Sequence, residues 1–169
     1  MTEAAIADAG PIIHLDELSY LSLLNCYNVI WVPKTVAEEA EKYRPGWLLR
    51  GPDSMREVEV PRADVEDFRR SLKTALDDGE IESLALWKRL SSASVICDDL
   101  AARRVAKELG APIIGTLGII IKGAKQDRIT LSTAIELIRS IPEATTLHVS
   151  RDLLEYAVCE IQRSLENQL

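Results

Sequence analysis

A set of carboxylates in this sequence lies just after short apolar runs or near the starts of helix-like segments. They are Asp8, Glu39, Glu80, Glu82, Asp98 and Asp99. Ligands of open parallel sheets bind beyond the carboxyl ends of the strands, so side chains at those ends can converge on one site. Carboxylate oxygens without Cys or His suit Mg²⁺ or Mn²⁺. A cluster holding one or two such ions is suited to hydrolysis of a phosphodiester bond.

Most of these carboxylates also have a simpler structural explanation at a helix start, as a cap or a first-turn acid. Glu39 is one of three glutamates in four residues, which usually form a solvated face, and at most one of them, Glu39 or Glu38, can point to a site. Asp is a favoured N-cap residue, and an acid in the first turn interacts favourably with the helix dipole. Asp8 and the pair Asp98-Asp99 could therefore cap the helices that follow them. Carboxylates within about 4 Å repel by roughly 4 kcal/mol at an effective dielectric near 20, so the pair needs water, a cation or a basic group to stay ionised.

The elements that position these residues alternate between short apolar runs and helix-period segments, which predicts βαβ units in a mostly parallel sheet. The clearest unit is Ser94 to Lys125, in which two apolar runs flank a helix that ends at Gly110. Further strands are predicted at 4–7 and 29–32, and an edge strand at 56–60.

The chain is predicted to be a single domain, 1–169, because its length and 47% apolar content fit one sizeable core. The core is expected over about 4–125, with a C-terminal helical extension over about 130–169. In that extension, a helix from Leu131 is expected to break at Pro142, and a last helix is expected over Arg151 to Asn167.

Composition and charge make some classes of protein less plausible than others. A net charge of −7 argues against an indiscriminate nucleic-acid coat, although basic residues cluster between 100 and 128. Such a basic rim would suit an enzyme acting on a polyanion through metal ions, and ordinary solvated helix faces are the alternative. No apolar run reaches the ~18 residues that span a membrane. Three dispersed cysteines and an acidic N-terminus without a signal-peptide pattern predict a cytoplasmic protein.

The two histidines form no recognisable catalytic pair. His14 lies on an apolar helix-like segment and is interpreted as a packed histidine, not as a ligand. Neither His14 nor His148 has neighbours that would make a nucleophile–histidine triad. The sequence therefore favours carboxylate and metal chemistry over covalent catalysis.

The motifs together resemble those of PIN-domain proteins, in the subgroup related to the VapC-type toxin ribonucleases. The resemblance extends over about residues 4–125. The segments that carry it are Ile6-Ala-Asp8-Ala-Gly-Pro11, Val32 to Glu39, Asp77 to Ala85, Ile96 to Ala106, and Leu109 to Lys122. In the family, Ser or Thr often follows the first aspartate, with Asn or Ser next. Here those positions are Ala9 and Gly10, so two groups that could orient ligands or water are missing.

The resemblance implies an α/β/α sandwich with a short, mostly parallel sheet, followed here by the C-terminal helices. It also implies a metal-dependent endoribonuclease that uses Mg²⁺ or Mn²⁺. The implied catalytic residues are Asp8, Glu39, Glu80 and Asp98. The implied metal ligands are Asp8, Glu80, Asp98 and Asp99. The expected substrate contacts are Thr116, Arg103 and Lys122. Because family members are often dimeric toxins, the expected partners are RNA, a cognate antitoxin and a second copy of the chain, with no membrane.

Other readings remain open at this stage. A PIN-fold module without catalysis could bind RNA or protein partners, and metal uptake would discriminate it from the enzyme. A phosphoacceptor receiver domain places its acidic pair early, whereas Asp98-Asp99 comes late. A dinucleotide-binding domain is disfavoured because Gly115-Thr-Leu-Gly118 is not its glycine fingerprint.

Overall fold

The computed structural model of the protein describes residues 3–91 and 93–166. In this part of the chain, five strands form one all-parallel sheet in the order β3-β2-β1-β4-β5. The strands are β1 Ala4–Ala7, β2 Val29–Pro33, β3 Met55–Val58, β4 Ser94–Ile96 and β5 Ile113–Ile114. The predicted parallel sheet, with the third strand at an edge, is confirmed.

Helices follow every strand, as βαβ connections require. They are α1 Ala9–Glu17, α2 Lys34–Tyr43, α3 Trp47–Arg50, α4 Arg62–Ser71, α5 Asp78–Leu90, α6 Leu100–Glu108, α7 Thr116–Lys125, α8 Leu131–Ala144 and α9 Arg151–Glu166. A 3₁₀ helix, Leu21–Cys26, joins α1 to β2. The chain is thus an α/β protein in which each helix begins close to a strand end.

The sheet separates two apolar clusters, which makes the fold a three-layer α/β/α sandwich. Alternate residues of β1 point to opposite faces: Ala5 and Ala7 join the cluster of α1, α2 and α7, whereas Ile6 joins that of α4, α5 and α6. The C-terminal helices α8 and α9 extend the first layer by packing on α7. Helices therefore cover both faces of the sheet, as expected for parallel strands.

The strand order places a topological switch point between β1 and β4. The chain moves outward from β1 to β2 and β3, then crosses to β4 and β5 on the other side of β1. In the register of this pair, Ala7 lies opposite Ile96, so Asp8 and Cys97 follow side by side. Ligand sites of such sheets form in the crevice at this point.

Pro142 corrects the prediction for the C-terminal region, because it lies inside α8 instead of breaking it. Pro142 lacks the amide hydrogen that the helix would use there, and α8 ends two residues later at Ala144. Beyond it, both the amide and the hydroxyl of Thr145 donate to the carbonyl of Ile141, at 3.1 and 2.9 Å. The predicted last helix is present, but Asn167 and the end of the expected extension lie outside the described residues. No helix in the described ranges is long and apolar enough to cross a bilayer.

A buried carboxylate clamps α1 to the α2–α3 segment. Asp16 on α1 is buried and accepts hydrogen bonds from Arg44 Nε at 2.5 Å and from Arg50 Nε and Nη2 at 2.7 and 2.8 Å. The hydrogen bonds from Arg50 and Arg44 hold the pKa of Asp16 below its usual value. The clamp joins the end of α2 to α1, so it fixes how these two helices meet beside the sheet.

Replacement of Asp16 by Ala is expected to lower the free energy of unfolding by about 2 kcal/mol, because two arginines lose a shared partner. Since the folded-state pKa of Asp16 is depressed, its contribution is present above the unfolded pKa and fades as the pH falls through the folded value. Urea unfolding at neutral and acidic pH measures both effects. An equal loss at both pH values would contradict the clamp.

Candidate active site

Asp8 lies at the centre of the candidate site, directly after β1. Its backbone amide donates to the carbonyl of Ile96 at 2.9 Å, which continues the β1–β4 pairing. Its side chain is only 7% exposed and makes no capping hydrogen bond to α1. Its Oδ2 instead accepts a weak hydrogen bond from Cys97 Sγ at 3.5 Å. The helix-cap explanation therefore does not hold for the side chain of Asp8.

Burial raises the pKa of Asp8 to about 7, and repulsion from Asp77 and Glu39 adds to the effect. The adjacent amide of Ala9 and the thiol of Cys97 offset it only in part. A buried carboxyl with acidic neighbours and no basic partner is a recurrent feature of functional sites. The environment of Asp8 therefore suits a cation or a proton.

Glu80 approaches Asp8 from the first turn of α5. Asp77 and Glu80 form a capping box: Asp77 Oδ1 accepts from the Glu80 amide at 2.8 Å, and Glu80 Oε2 accepts from the Asp77 amide at 2.9 Å. Glu80 is 7% exposed, and burial raises its pKa to about 7, with further repulsion from Asp77, Asp99 and Asp8. Glu80 thus caps α5 and also belongs to the acidic cluster.

Glu39 on α2 adds a third carboxylate to this side of the site. Burial and the neighbouring Asp77 raise its pKa. A Cβ built on Gly79 would lie 3.6 Å from Glu39 Oε2 and 3.2 Å from Val36 Cγ2. The missing side chain at Gly79 therefore lets α5 begin close to α2, which brings Glu39 towards Asp77.

Asp98 follows β4 and is held by the helices on the face of the sheet opposite α5. Its Oδ1 accepts from the Thr116 amide at 2.8 Å, and its Oδ2 accepts from Thr116 Oγ1 at 2.6 Å. His14 Nδ1 lies 2.8 Å from the same Oδ2, and because a carboxylate only accepts, Nδ1 carries the hydrogen. Asp98 is therefore fixed by α1 and α7, while Asp8 faces α5.

His14 is the functional candidate that sequence reasoning missed. It is buried, at 9% exposed, as predicted, but it contacts a candidate site carboxylate. A Cβ built on Gly10 would already touch both partners, at 3.6 Å from His14 Cε1 and 3.9 Å from Asp98 Cβ. A larger side chain at position 10 would crowd this contact. His14 supplies a donor to Asp98, and Gly10, one helical turn earlier, leaves space for this contact. The polar residues that often follow the first aspartate in PIN domains are replaced here by Ala9 and Gly10.

Three other predicted residues have different partners. Asp99 caps α6, because its Oδ1 accepts from the amides of Ala101 and Ala102 at 2.7 and 2.9 Å. Arg103 Nη1 donates to the carbonyl of Cys97 at 2.9 Å and so lies next to the strand end. Glu82, the acid near Glu80, accepts from Thr35 Oγ1 at 2.7 Å and turns away from Asp8.

Lys122, which is predicted to contact the substrate backbone, lies away from the carboxylates. It forms an ion pair with Glu3 and lies over the ring of Tyr27, with Nζ 4.2 Å from the centroid. Glu3 precedes β1, whereas Asp8 follows it, so Lys122 lies at the opposite edge of the sheet. The helix α7 explains this, because six residues beyond Thr116 correspond to about 9 Å along its axis.

The donor set fits a hard divalent cation in its chemistry. Asp8, Glu80 and Glu39 offer carboxylate oxygens, and burial with mutual repulsion raises the pKa of each. No group of three or more His, Cys, Asp or Glu side chains is gathered at metal-binding distances within residues 3–91 and 93–166. Glu80 and Asp98 accept hydrogen bonds from the protein instead, from the Asp77 amide and the Thr116 hydroxyl.

Comparison with known proteins gives a family match over nearly the whole chain. A family model described as a PIN domain matches residues 4–163. The comparison found no matching curated protein and no matching solved structure. The matched range includes α8 and most of α9, beyond the segments that carry the sequence resemblance.

Proposed function

We propose that this chain, which belongs to the PIN-domain family, is a metal-dependent endoribonuclease. PIN domains are generally nucleases that use divalent metal ions. The observation that carries the proposal is the pair Asp8 and Glu80, two buried carboxylates at the switch point with pKa values of about 7. A protein gains no stability from crowding such groups, so their arrangement is best explained by a cation that neutralises them.

In this account Asp8 and Asp98 are the direct ligands of Mg²⁺ or Mn²⁺, and Glu80 and Glu39 complete the shell or orient the attacking water. The bound ion supplies Lewis acidity and a water of lowered pKa for attack on a phosphodiester. The chain's own contribution is positioning. Asp8 is fixed by the β1–β4 pairing and Glu80 by the capping box with Asp77.

Thr116 and His14 orient Asp98 from two helices. Thr116 is fully buried and donates through both its amide and its hydroxyl, so the Asp98 carboxylate cannot rotate freely. His14 adds a donor to Oδ2. A ligand held in this way loses little conformational entropy when it binds a cation. The role of Thr116 is thus to position Asp98, while its expected contact with substrate stays a prediction.

The His14 contact predicts a graded effect on metal affinity. His14→Leu is expected to weaken Mn²⁺ binding roughly 10-fold or more, because Asp98 loses an orienting donor. His14→Asn is the matched control, since its amide nitrogen can take the place of Nδ1, and it is expected to retain most of the affinity. Calorimetric titration with Mn²⁺ compares the two. Equal affinities for Leu and Asn would show that the donor is unimportant.

The proposed activity is tested by incubating the purified protein with a mixed, end-labelled RNA in Mn²⁺ and in EDTA. Cleavage in Mn²⁺ that EDTA abolishes is the expected result. Absence of cleavage over a range of RNA sequences, together with absence of Mn²⁺ binding, would contradict the proposal. An antitoxin partner and a homodimer stay predictions of the resemblance.

A second candidate is a non-catalytic PIN-fold module that binds RNA or protein. It is favoured by the separation of the carboxylates within the described residues and by the hydrogen bonds that already occupy Asp98. Metal uptake discriminates the two candidates, because a binding module has no need of Mn²⁺. The raised pKa values of Asp8 and Glu80 favour the enzyme.

A further inference from the structure

A basic cleft of about 450 Å³ lies between one face of α6 and the region around β5 at the edge of the sheet. The α6 wall consists of Leu100, Arg103, Arg104 and Lys107, whose spacing places them on one side of the helix. Pro112 and Ile113 contribute to the facing wall. In the described part of the chain, no Asp or Glu lines this cleft.

Two of the three positive charges in the cleft are unpaired among the described residues. Arg104 and Lys107 are exposed, and neither has an ion-pair or hydrogen-bond partner among the described residues. Some exposed arginines elsewhere are paired with carboxylates, such as Arg69 with Asp78 and Arg89 with Asp64. In a chain of net charge −7, a concave surface lined by three cationic side chains and by no carboxylate of the described residues indicates an anionic ligand.

The cleft meets the acidic site at Gly115. A Cβ built there would lie 2.7 Å from Asp98 Oδ1 and 3.0 Å from Arg103 Nη1. The guanidinium and the carboxylate therefore flank the space that a side chain at position 115 would fill. Since φ of Gly115 is −107°, an ordinary value, the glycine is required here for space and not for its backbone conformation.

We propose that this cleft binds the sugar-phosphate backbone of single-stranded RNA on one side of the bond to be cleaved. Arg104 and Lys107 contact phosphates, and Arg103 lies where the strand passes Gly115 to reach the carboxylates. The cleft has the volume of a small-ligand pocket, which is enough for a short stretch of nucleic-acid backbone. The assignment of its ligand rests on the proposed function, since that function makes RNA the polyanion.

The test measures RNA binding apart from cleavage. Fluorescence anisotropy of a labelled single-stranded RNA is followed against KCl concentration in EDTA, with Asp8→Asn as the non-cleaving background. Adding Arg104→Gln and Lys107→Gln is expected to weaken binding roughly 10-fold at low salt. The slope of log K against log salt should fall by about 1.4, the value for two lost phosphate contacts in a single strand.

The matched control removes two charges elsewhere. Lys88→Gln with Lys125→Gln, in the same background, alters the net charge equally on exposed positions outside the cleft and is expected to leave the slope unchanged. Equal effects of the two pairs, or no RNA binding by Asp8→Asn itself, would overturn the cleft assignment. If the cleft pair alone reduces binding while the wild-type protein cleaves no RNA, the cleft assignment is supported and the nuclease proposal fails.

Discussion

Asp8→Asn is expected to reduce metal-dependent RNA cleavage by roughly 1,000-fold or more, a loss of about 4 kcal/mol of transition-state stabilisation. Asn retains the shape of Asp8 but not its charge, so the central carboxylate between β1 and β4 no longer holds a cation. The change is expected to leave the fold intact, because the β1–β4 pairing uses only the backbone of Asp8. Initial rates on labelled RNA at saturating Mn²⁺ measure the effect.

Asp99→Asn is the matched control for this result. Asp99 has the same side chain and lies beside Asp98, but it is exposed and caps α6. Asn is also a good N-cap, so stability should change by less than about 1 kcal/mol and cleavage should remain close to the wild-type rate. A loss at Asp99 as large as that at Asp8 would contradict this arrangement and support the prediction that Asp99 is a metal ligand.

The second large effect concerns stability without metal. Asp8→Asn is expected to raise the free energy of unfolding at pH 8 in EDTA by up to roughly 4 kcal/mol, since each pKa unit corresponds to about 1.4 kcal/mol. The folded-state pKa of Asp8 is about 7, against an ordinary value of 3.8, so the folded protein binds the proton more tightly than the unfolded chain. The stability that the protonated Asp8 contributes to the folded state is fully present below pH 3.8 and is lost as the pH rises through about 7.

The comparison is made by urea unfolding in EDTA at pH 5 and pH 8. The wild-type protein should lose stability between the two values, and Asp8→Asn should lose less. Asp53→Asn is the control, because Asp53 is exposed in a loop far from β1 in sequence. This substitution should change the free energy of unfolding little at either pH. If Asp8→Asn were less stable than wild type at pH 8, the uncompensated charge inferred for Asp8 would be wrong.

The sequence predicted the fold well because its signals are local. Apolar runs and helix-period segments located the five strands, and Gly110 marked the end of α6. The order of the strands was not predictable, since it depends on contacts between distant segments. Pro142 was misjudged because the effect of a proline depends on its position in the helix, and here it lies in the last turn of α8.

The candidate site was predicted in part. Asp8, Glu80 and Asp98 lie at the carboxyl edge as expected, but alternation in the sheet directs Asp8 towards α5 and Asp98 towards α1 and α7. Only the β1–β4 register could decide this. The contact between His14 and Asp98 joins residues 84 positions apart, so no local pattern in the sequence indicates it. The place of Lys122 could have been calculated from the length of α7.

If Asp8 and its neighbours hold a divalent cation, titration of Mn²⁺ into the purified protein by calorimetry detects it directly. We expect saturable binding to the wild-type protein near pH 7.5, accompanied by proton release because Asp8 and Glu80 are partly protonated there. Binding should be lost in Asp8→Asn and retained in Asp99→Asn. Absence of Mn²⁺ binding to the wild-type protein, or equal binding to Asp8→Asn, would contradict the account.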